Sequence, residues 1–256
     1  MSTFLVTGSA SGMGKATTEL LRSEGHVVVG VDLHDADITA DLGTAEGRAS
    51  VVEQAPAGLA GAVMFAGLVG LTGRPGSLLA SVNYFGAVDV VTGLRPKLTN
   101  PSSVVLISSN STTIHPAWKQ DLVDACLAGD EALARKVADE HDSSTAYPGT
   151  KVAIARWVRR NAPAWAETSG IRLNALMPGL IETPMSESVR RDETWGRHID
   201  AVPIPVGRGG RPEELAALVS FLLGPHSGYF CGSLLLVDGG TEAVLRPDDW
   251  PTLWGA

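Results

Sequence analysis

Apolar positions along the chain follow two alternating patterns. Short continuous apolar runs, rich in β-branched residues, read as buried strands: Thr3–Thr7, His26–Asp32, Gly61–Phe65, Ser103–Ser108, Ile171–Met177 and Ser233–Val237, with a shorter one over Asp37–Asp41. Between them, apolar residues spaced three and four apart predict helices over Ser11–Ser23, Thr44–Gln54, Thr145–Thr168 and Glu213–Leu223, and a long helix within Leu78–Leu98. Thr44 is a candidate N-cap. Regular strand–helix alternation predicts one α/β domain, residues 1–256, with a doubly wound parallel sheet in three α/β/α layers. In such a sheet ligands bind beyond the C-terminal strand ends, so residues just after strands carry the information.

The first such stretch is Thr7-Gly8-Ser9-Ala10-Ser11-Gly12-Met13-Gly14, between a strand and a helix. Glycines let the chain turn tightly and let a pyrophosphate approach the main chain. The free N–H groups of the helix start then face the phosphates. Gly8, Ser11, Gly12, Met13 and Gly14 are the candidate contacts of a Rossmann-type nucleotide site. Asp32 ends the second strand, about 20 residues on, where a carboxylate accepts from ribose hydroxyls and repels a 2′-phosphate. No Arg or Lys lies in Leu33–Asp41 or Ser9–Ser11, so NAD is expected over NADP. Asp41-Leu42 follows the third strand, where an acid can bond the adenine amino group.

Tyr147 and Lys151 are four positions apart and share a helix face. Pro148 is tolerated in a first helical turn, which places Tyr147 at the helix start. A neighbouring ammonium favours phenolate and is expected to lower the Tyr147 pKa, giving a general acid for ketone reduction and a general base for alcohol oxidation. Ser108-Ser109 ends a buried strand, where a hydroxyl can hold a substrate oxygen. Asn83 is a polar residue in an otherwise apolar helix. Pro178-Gly179-Leu180-Ile181-Glu182-Thr183 follows another strand, where a nicotinamide carboxamide can dock.

Taken together these motifs resemble the short-chain dehydrogenase/reductase family, from the glycine loop at Thr7–Gly14 to Val237-Asp238-Gly239-Gly240. The resemblance implies a catalytic set of Asn83, Ser109, Tyr147 and Lys151. Tyr147 is then the acid/base, and Ser109 orients the substrate oxygen. Lys151 bonds the nicotinamide ribose, and Asn83 holds a water in a proton relay. Pro178, Gly179, Ile181 and Thr183 fix the carboxamide. The family's Asn-Asn-Ala-Gly is replaced by Met64-Phe65-Ala66-Gly67. Ala66 and Gly67 keep the close approach to the adenosine ribose, but an Asn that braces neighbouring strands is lost.

The second departure is the stretch between Ser109 and Tyr147, which is longer than the family's. About residues 116–142 read as one or two added amphipathic helices. This insertion resembles a subset of hydroxysteroid dehydrogenases/carbonyl reductases and coniferyl-alcohol dehydrogenases. It is expected near the pocket mouth, with Trp118 as a candidate substrate wall. Residues 185–202, with Met185 and Trp195, are expected to form a substrate lid. His115 is expected to make an ordinary polar contact. The implied activity is interconversion of a secondary alcohol and a ketone, steroid-like or otherwise bulky and apolar. An aromatic primary alcohol is the alternative substrate, and a non-catalytic nucleotide-binding regulatory protein is the competing class.

Composition narrows the partners. The chain is 44% hydrophobic and 19% charged, as expected for a globular protein. A net charge of −8 argues against nucleic acid or an anionic membrane as partner. No uninterrupted apolar run reaches the roughly 18 residues of a membrane span, and no basic leader precedes the first strand, so a cytoplasmic location is expected. The two cysteines and six histidines form no ligand spacing, and no metal is expected. If the insertion covers the family's tetramer helices, a homodimer built from the last helix and strand is expected.

Overall fold

The computed structural model describes residues 1–115 and 118–249. In chain order, β1 (Thr3–Thr7) leads to α1 (Gly12–Ser23), β2 (Val27–Asp32), β3 (Ile38–Thr39), α2 (Ala45–Gln54) and β4 (Leu59–Met64). Next come α3 (Gly76–Leu79), a π-helical turn (Ala80–Phe85), α4 (Gly86–Leu94) and β5 (Leu98–Ile107). Four helices follow: α5 (Ser111–Ile114), α6 (Gln120–Leu127), α7 (Glu131–Asp139) and α8 (Ser143–Ser169). The chain closes with β6 (Ile171–Pro178), α9 (Pro184–Arg190), α10 (Gly196–Ile199), α11 (Pro212–Leu223), β7 (Leu234–Val237) and α12 (Thr241–Leu245).

The seven strands form one parallel sheet in the order β3-β2-β1-β4-β5-β6-β7. The order reverses between β1 and β4, which opens a crevice at their C-terminal ends. Strand alternation assigns the two faces. Leu5, Val104 and Leu106 enter the core shared with α2, α4 and α8. Phe4, Val6, Val105 and Ile107 enter the one shared with α1 and α11. Burial on both faces explains why the strands read as continuous apolar runs.

Local capping sets the helix starts. Thr44 Oγ1 accepts from Gly47 N at 3.0 Å, as its type predicts. Asp130 and Asp142 do the same for α7 and α8, each at 2.9 Å. Gly170 ends α8 in the left-handed conformation, with φ 63°.

Several expectations are revised. The helix expected in Leu78–Leu98 starts at Gly76 and is split by the π-helical turn. The Gly76–Lys97 run is long and apolar enough to cross a membrane, yet 72% of its apolar 18-residue window is buried within the protein, as in a core helix. The helix expected from Thr145 starts at Ser143, so Pro148 falls in its second turn. There it removes the donor that the Ser144 carbonyl would receive.

The insertion does supply two helices, but not at the pocket mouth. Leu122, Val123 and Ala134 of α6 and α7 sit in the main core against α8 and the π-helical turn. The end of the insertion, at Asp139–Asp142, lines a surface pocket with Thr194 and Trp195. Pro116 and Ala117, where the insertion was expected to begin, lie outside the described residues.

Candidate active site

Two clefts meet above the C-terminal strand ends. The first has a volume of about 410 Å³ and is lined by Gly8, Ser11, Gly12, Met13, Gly14, Asp32, Asp41, Leu42, Ala66 and Gly67. The second has a volume of about 390 Å³ and holds Ser109, Tyr147 and Lys151. Gly67, Met13, Thr183 and Met185 line both, so the clefts are continuous. Pro178, Gly179 and Ile181 line the second.

The glycine loop leaves no room for side chains. A Cβ at Gly14 would lie 2.0 Å from the Gly8 carbonyl oxygen. Gly8 has φ +69°, and a Cβ there would lie 2.9 Å from Ala66 N. Gly12 has φ +52° and faces the Thr183 methyl, 3.2 Å from where its Cβ would be. The loop start and the post-β6 segment therefore touch, as a cradle gripping one extended ligand from two sides requires. Asp32 Oδ2 accepts from Ala10 N at 2.9 Å and Oδ1 from Leu33 N at 2.7 Å. Each oxygen keeps a second lone-pair site, and a carboxylate held this way suits a diol. The cleft lining thus fits a dinucleotide.

Around the phenol the groups converge. Lys151 is buried, and its Nζ lies 5.8 Å from the centre of the Tyr147 ring. The ammonium donates to the Ile107 carbonyl at 3.0 Å. Ser109 hydrogen-bonds the Tyr147 hydroxyl. Ser108 points elsewhere and donates to the Lys151 carbonyl at 2.8 Å, pinning α8 to the end of β5.

Burial pushes the Tyr147 phenol above its ordinary value, and the Ser109 hydrogen bond offsets this in part. The net direction is upward, set by the cost of dehydrating a phenolate, whereas the expectation from helical spacing is a lowering by Lys151. Burial also lowers Lys151, to about 8. His115 lines the second cleft, and burial lowers its pKa so that it is neutral at pH 7.

Asn83 braces the segment after β4. Its Oδ1 accepts from Leu68 N at 2.7 Å, while Nδ2 donates to Leu68 O at 2.9 Å and to Thr150 Oγ1 at 3.4 Å. This bracing also compensates for the missing Asn near Phe65, with Thr7 Oγ1 accepting from Ala66 N at 3.1 Å.

Trp118 is a second correction, for it lines neither cleft. It packs against the main core, with the Arg156 guanidinium 5.2 Å from its ring centre. Met185 and Trp195 line the second cleft, together with Val189, Ile199 and Val202. This segment is latched across the cleft mouth by a residue the sequence did not single out. Asp192 accepts from Thr72 N at 2.7 Å and from Thr72 Oγ1 at 2.8 Å. Asp238, seen only as part of a motif, supports the post-β6 loop: a Cβ at Gly179 would lie 2.6 Å from Asp238 Cβ. Among the described residues, no group of three or more His, Cys, Asp or Glu side chains is placed to hold a metal.

Known proteins share this arrangement. A family model described as enoyl-(acyl carrier protein) reductase matches residues 140–242. The chain is 39% identical to the 3-alpha-hydroxysteroid dehydrogenase/carbonyl reductase of Comamonas testosteroni, over 96% of this chain and 99% of that one. This chain belongs to the short-chain dehydrogenase/reductase family. Within that family it is also 30% identical to coniferyl-alcohol dehydrogenase of Pseudomonas sp. (strain HR199 / DSM 7063), over 94% of this chain and 96% of that one. A solved structure, 3-alpha-hydroxysteroid dehydrogenase from Pseudomonas sp. B-0831 complexed with NADH, superposes with a TM-score of 0.92 at 39% identity, covering 96% of this chain and 99% of that one. As a short-chain dehydrogenase/reductase, the protein is an oxidoreductase that uses a nicotinamide dinucleotide on a small molecule.

Proposed function

We propose that this enzyme interconverts a secondary alcohol and its ketone with NAD, on a bulky, apolar, steroid-like substrate. The observation that carries this reading is the meeting of Tyr147, Ser109 and Lys151 where the dinucleotide cleft opens into one walled by Met185, Val189, Ile199 and Val202. The main chain at Gly8, Ser11, Gly12, Met13 and Gly14 would hold the pyrophosphate, with Asp32 on the adenosine ribose and Asp41 and Leu42 at the adenine. Ala66 and Gly67 would pass close to the dinucleotide. Lys151 would bond the nicotinamide ribose, and Pro178, Gly179, Ile181 and Thr183 the carboxamide. When bound, the cofactor would supply the redox chemistry, as NAD+ taking up the hydride in oxidation and as NADH giving it up in reduction. Tyr147 Oη takes the hydroxyl proton in oxidation and returns it to the carbonyl oxygen in reduction. Ser109 Oγ holds that oxygen within reach, and the apolar wall keeps water from the reacting atoms.

The test is reduced-nicotinamide absorbance on a panel of steroid, cyclic and aromatic alcohols. Turnover of bulky secondary alcohols is expected; NAD binding without turnover on any alcohol would favour a regulatory protein. Preference for the aromatic primary alcohols would point instead to the coniferyl-type reaction.

Cofactor choice rests on Asp32. Bringing a phosphate against its carboxylate costs a few kcal/mol at short range, so kcat/KM is expected to favour NAD over NADP by roughly two orders of magnitude. Asp32→Ser is expected to narrow that ratio, and equal use of both cofactors by the unaltered enzyme would overturn the assignment.

A homodimer is expected from which faces are free. The helices α6 and α7 cover α8, α3 and the π-helical turn, whereas Leu236 of the edge strand β7 and Phe221 of α11 are exposed. Light scattering is expected to give a dimer mass, and a clean tetramer would reject this.

A further inference from the structure

The inserted helices carry an ion cluster that the chemistry above does not use. At its centre is Arg48 of α2, only 5% exposed. Its Nε pairs with Asp89 Oδ2 of α4 at 3.0 Å. Its Nη1 donates to the Leu42 carbonyl at 3.2 Å and to Glu131 Oε1 at 3.3 Å, and its Nη2 pairs with Glu131 Oε2. Glu131 is the first residue of inserted helix α7. The same Oε1 accepts from Ser81 Oγ at 2.7 Å, and that hydroxyl accepts from Arg135 at 2.6 Å.

These bonds end at the dinucleotide cleft from two sides. Leu42, whose carbonyl is held, lines the cleft, and so does Val82, the neighbour of Ser81. The two walls are nearly in contact, since a Cβ at Gly43 would lie 3.2 Å from the Val82 methyl. One carboxylate from the insertion therefore ties both walls of the same end of the cleft. Charge-assisted hydrogen bonds of a buried guanidinium are among the strongest tethers available to a side chain. Removing one partner loosens everything attached to it.

We propose that Glu131 is a positioning residue for the dinucleotide: the insertion fixes the adenosine end of the cofactor cleft and so sets cofactor affinity, not substrate shape. The proposal rests on the reading of this cleft as the NAD site. It gives the insertion a part in the enzyme's work although neither of its helices reaches the substrate cleft.

The test compares the unaltered enzyme with Glu131→Gln, Ser81→Ala and Val137→Ala by calorimetric titration with NAD and with ADP-ribose, alongside steady-state kinetics. Glu131→Gln keeps the side-chain shape and is expected to weaken both ligands by about tenfold, a coupling of ordinary size. KM for NAD should rise in step, while kcat at saturating NAD stays the same. Ser81→Ala leaves the Arg48–Glu131 pair intact, so it is expected to fold whatever happens to Glu131→Gln, and to weaken both ligands by about threefold. Val137, on the same helix but outside the cluster, packs against the core. Val137→Ala is expected to lower Tm without changing either Kd. Unchanged affinities in Glu131→Gln or Ser81→Ala, or an equal loss in Val137→Ala, would overturn the proposal and leave the cofactor reading standing. Failure of the unaltered enzyme to bind NAD or ADP-ribose would overturn both.

Discussion

Tyr147→Phe is expected to lower kcat by about three orders of magnitude or more, within the range that positioned acid–base groups contribute. NAD affinity should change by less than about twofold, a shift of under half a kcal/mol. The substitution deletes one oxygen. The ring keeps its packing beside the main core, and the Lys151 ammonium keeps its bond to the Ile107 carbonyl. What is lost is the hydroxyl that Ser109 bonds and the proposed proton carrier for the substrate oxygen. Stopped-flow reduction of NAD and a fluorescence titration separate the two effects. Retained turnover would remove the phenol from the chemistry. Because burial raises the phenol, the free enzyme at neutral pH holds this proton. Its kcat/KM for ketone reduction should therefore be supported near neutrality, while that for alcohol oxidation should climb as pH rises toward the phenol's pKa.

How far the sequence revealed this site depended on distance along the chain. The glycine loop and Asp32 were legible because a strand, a turn and a helix are local, and their chemistry follows from where the strand ends. Tyr147 and Lys151 were legible because helical spacing alone puts them on one face. Their proton affinities were not, because the spacing gives proximity but not burial, and burial dominates both. The insertion's helices could be read from composition, but their placement could not. Placement is settled by pairs such as Arg48 with Glu131, 83 positions apart, just as the segment carrying Trp195 is held by Thr72 with Asp192, 120 apart. Trp118 shows the same limit: an aromatic residue between catalytic positions has two apolar surfaces available, and the larger core took it. The π-helical turn around Asn83 had no local signal, since it reflects how that segment packs against α8 and Leu68.

Gly14→Ala tests the nucleotide cradle, and the expected loss is almost entirely steric. Gly14 has no positive φ, so an alanine there meets no backbone strain of its own. Its Cβ would instead lie 2.0 Å from the Gly8 carbonyl oxygen and 2.6 Å from the Gly8 carbonyl carbon. Both atoms are main chain and cannot rotate away. The loop or the start of α1 must move by an ångström or so, and neither move is free. Gly8 is held against Ala66, and α1 is fixed by Leu21 in the core it shares with α11. Overpacking of this kind costs about 1–3 kcal/mol, which should appear as a Tm lower by several degrees. Cofactor affinity should suffer more, because the displaced groups are the ones proposed to face the pyrophosphate. A rise in the NAD Kd of about a hundredfold corresponds to the loss of roughly two hydrogen bonds to a charged ligand. Gly25→Ala supplies the contrast. Gly25 has φ +84° with nothing within 4 Å of a Cβ, so its substitution strains the main chain far from the cleft. It should lower Tm while leaving the NAD Kd untouched. If Gly14→Ala and Gly25→Ala shift Tm alike and neither alters NAD binding, the loop is an ordinary turn and the pyrophosphate lies elsewhere.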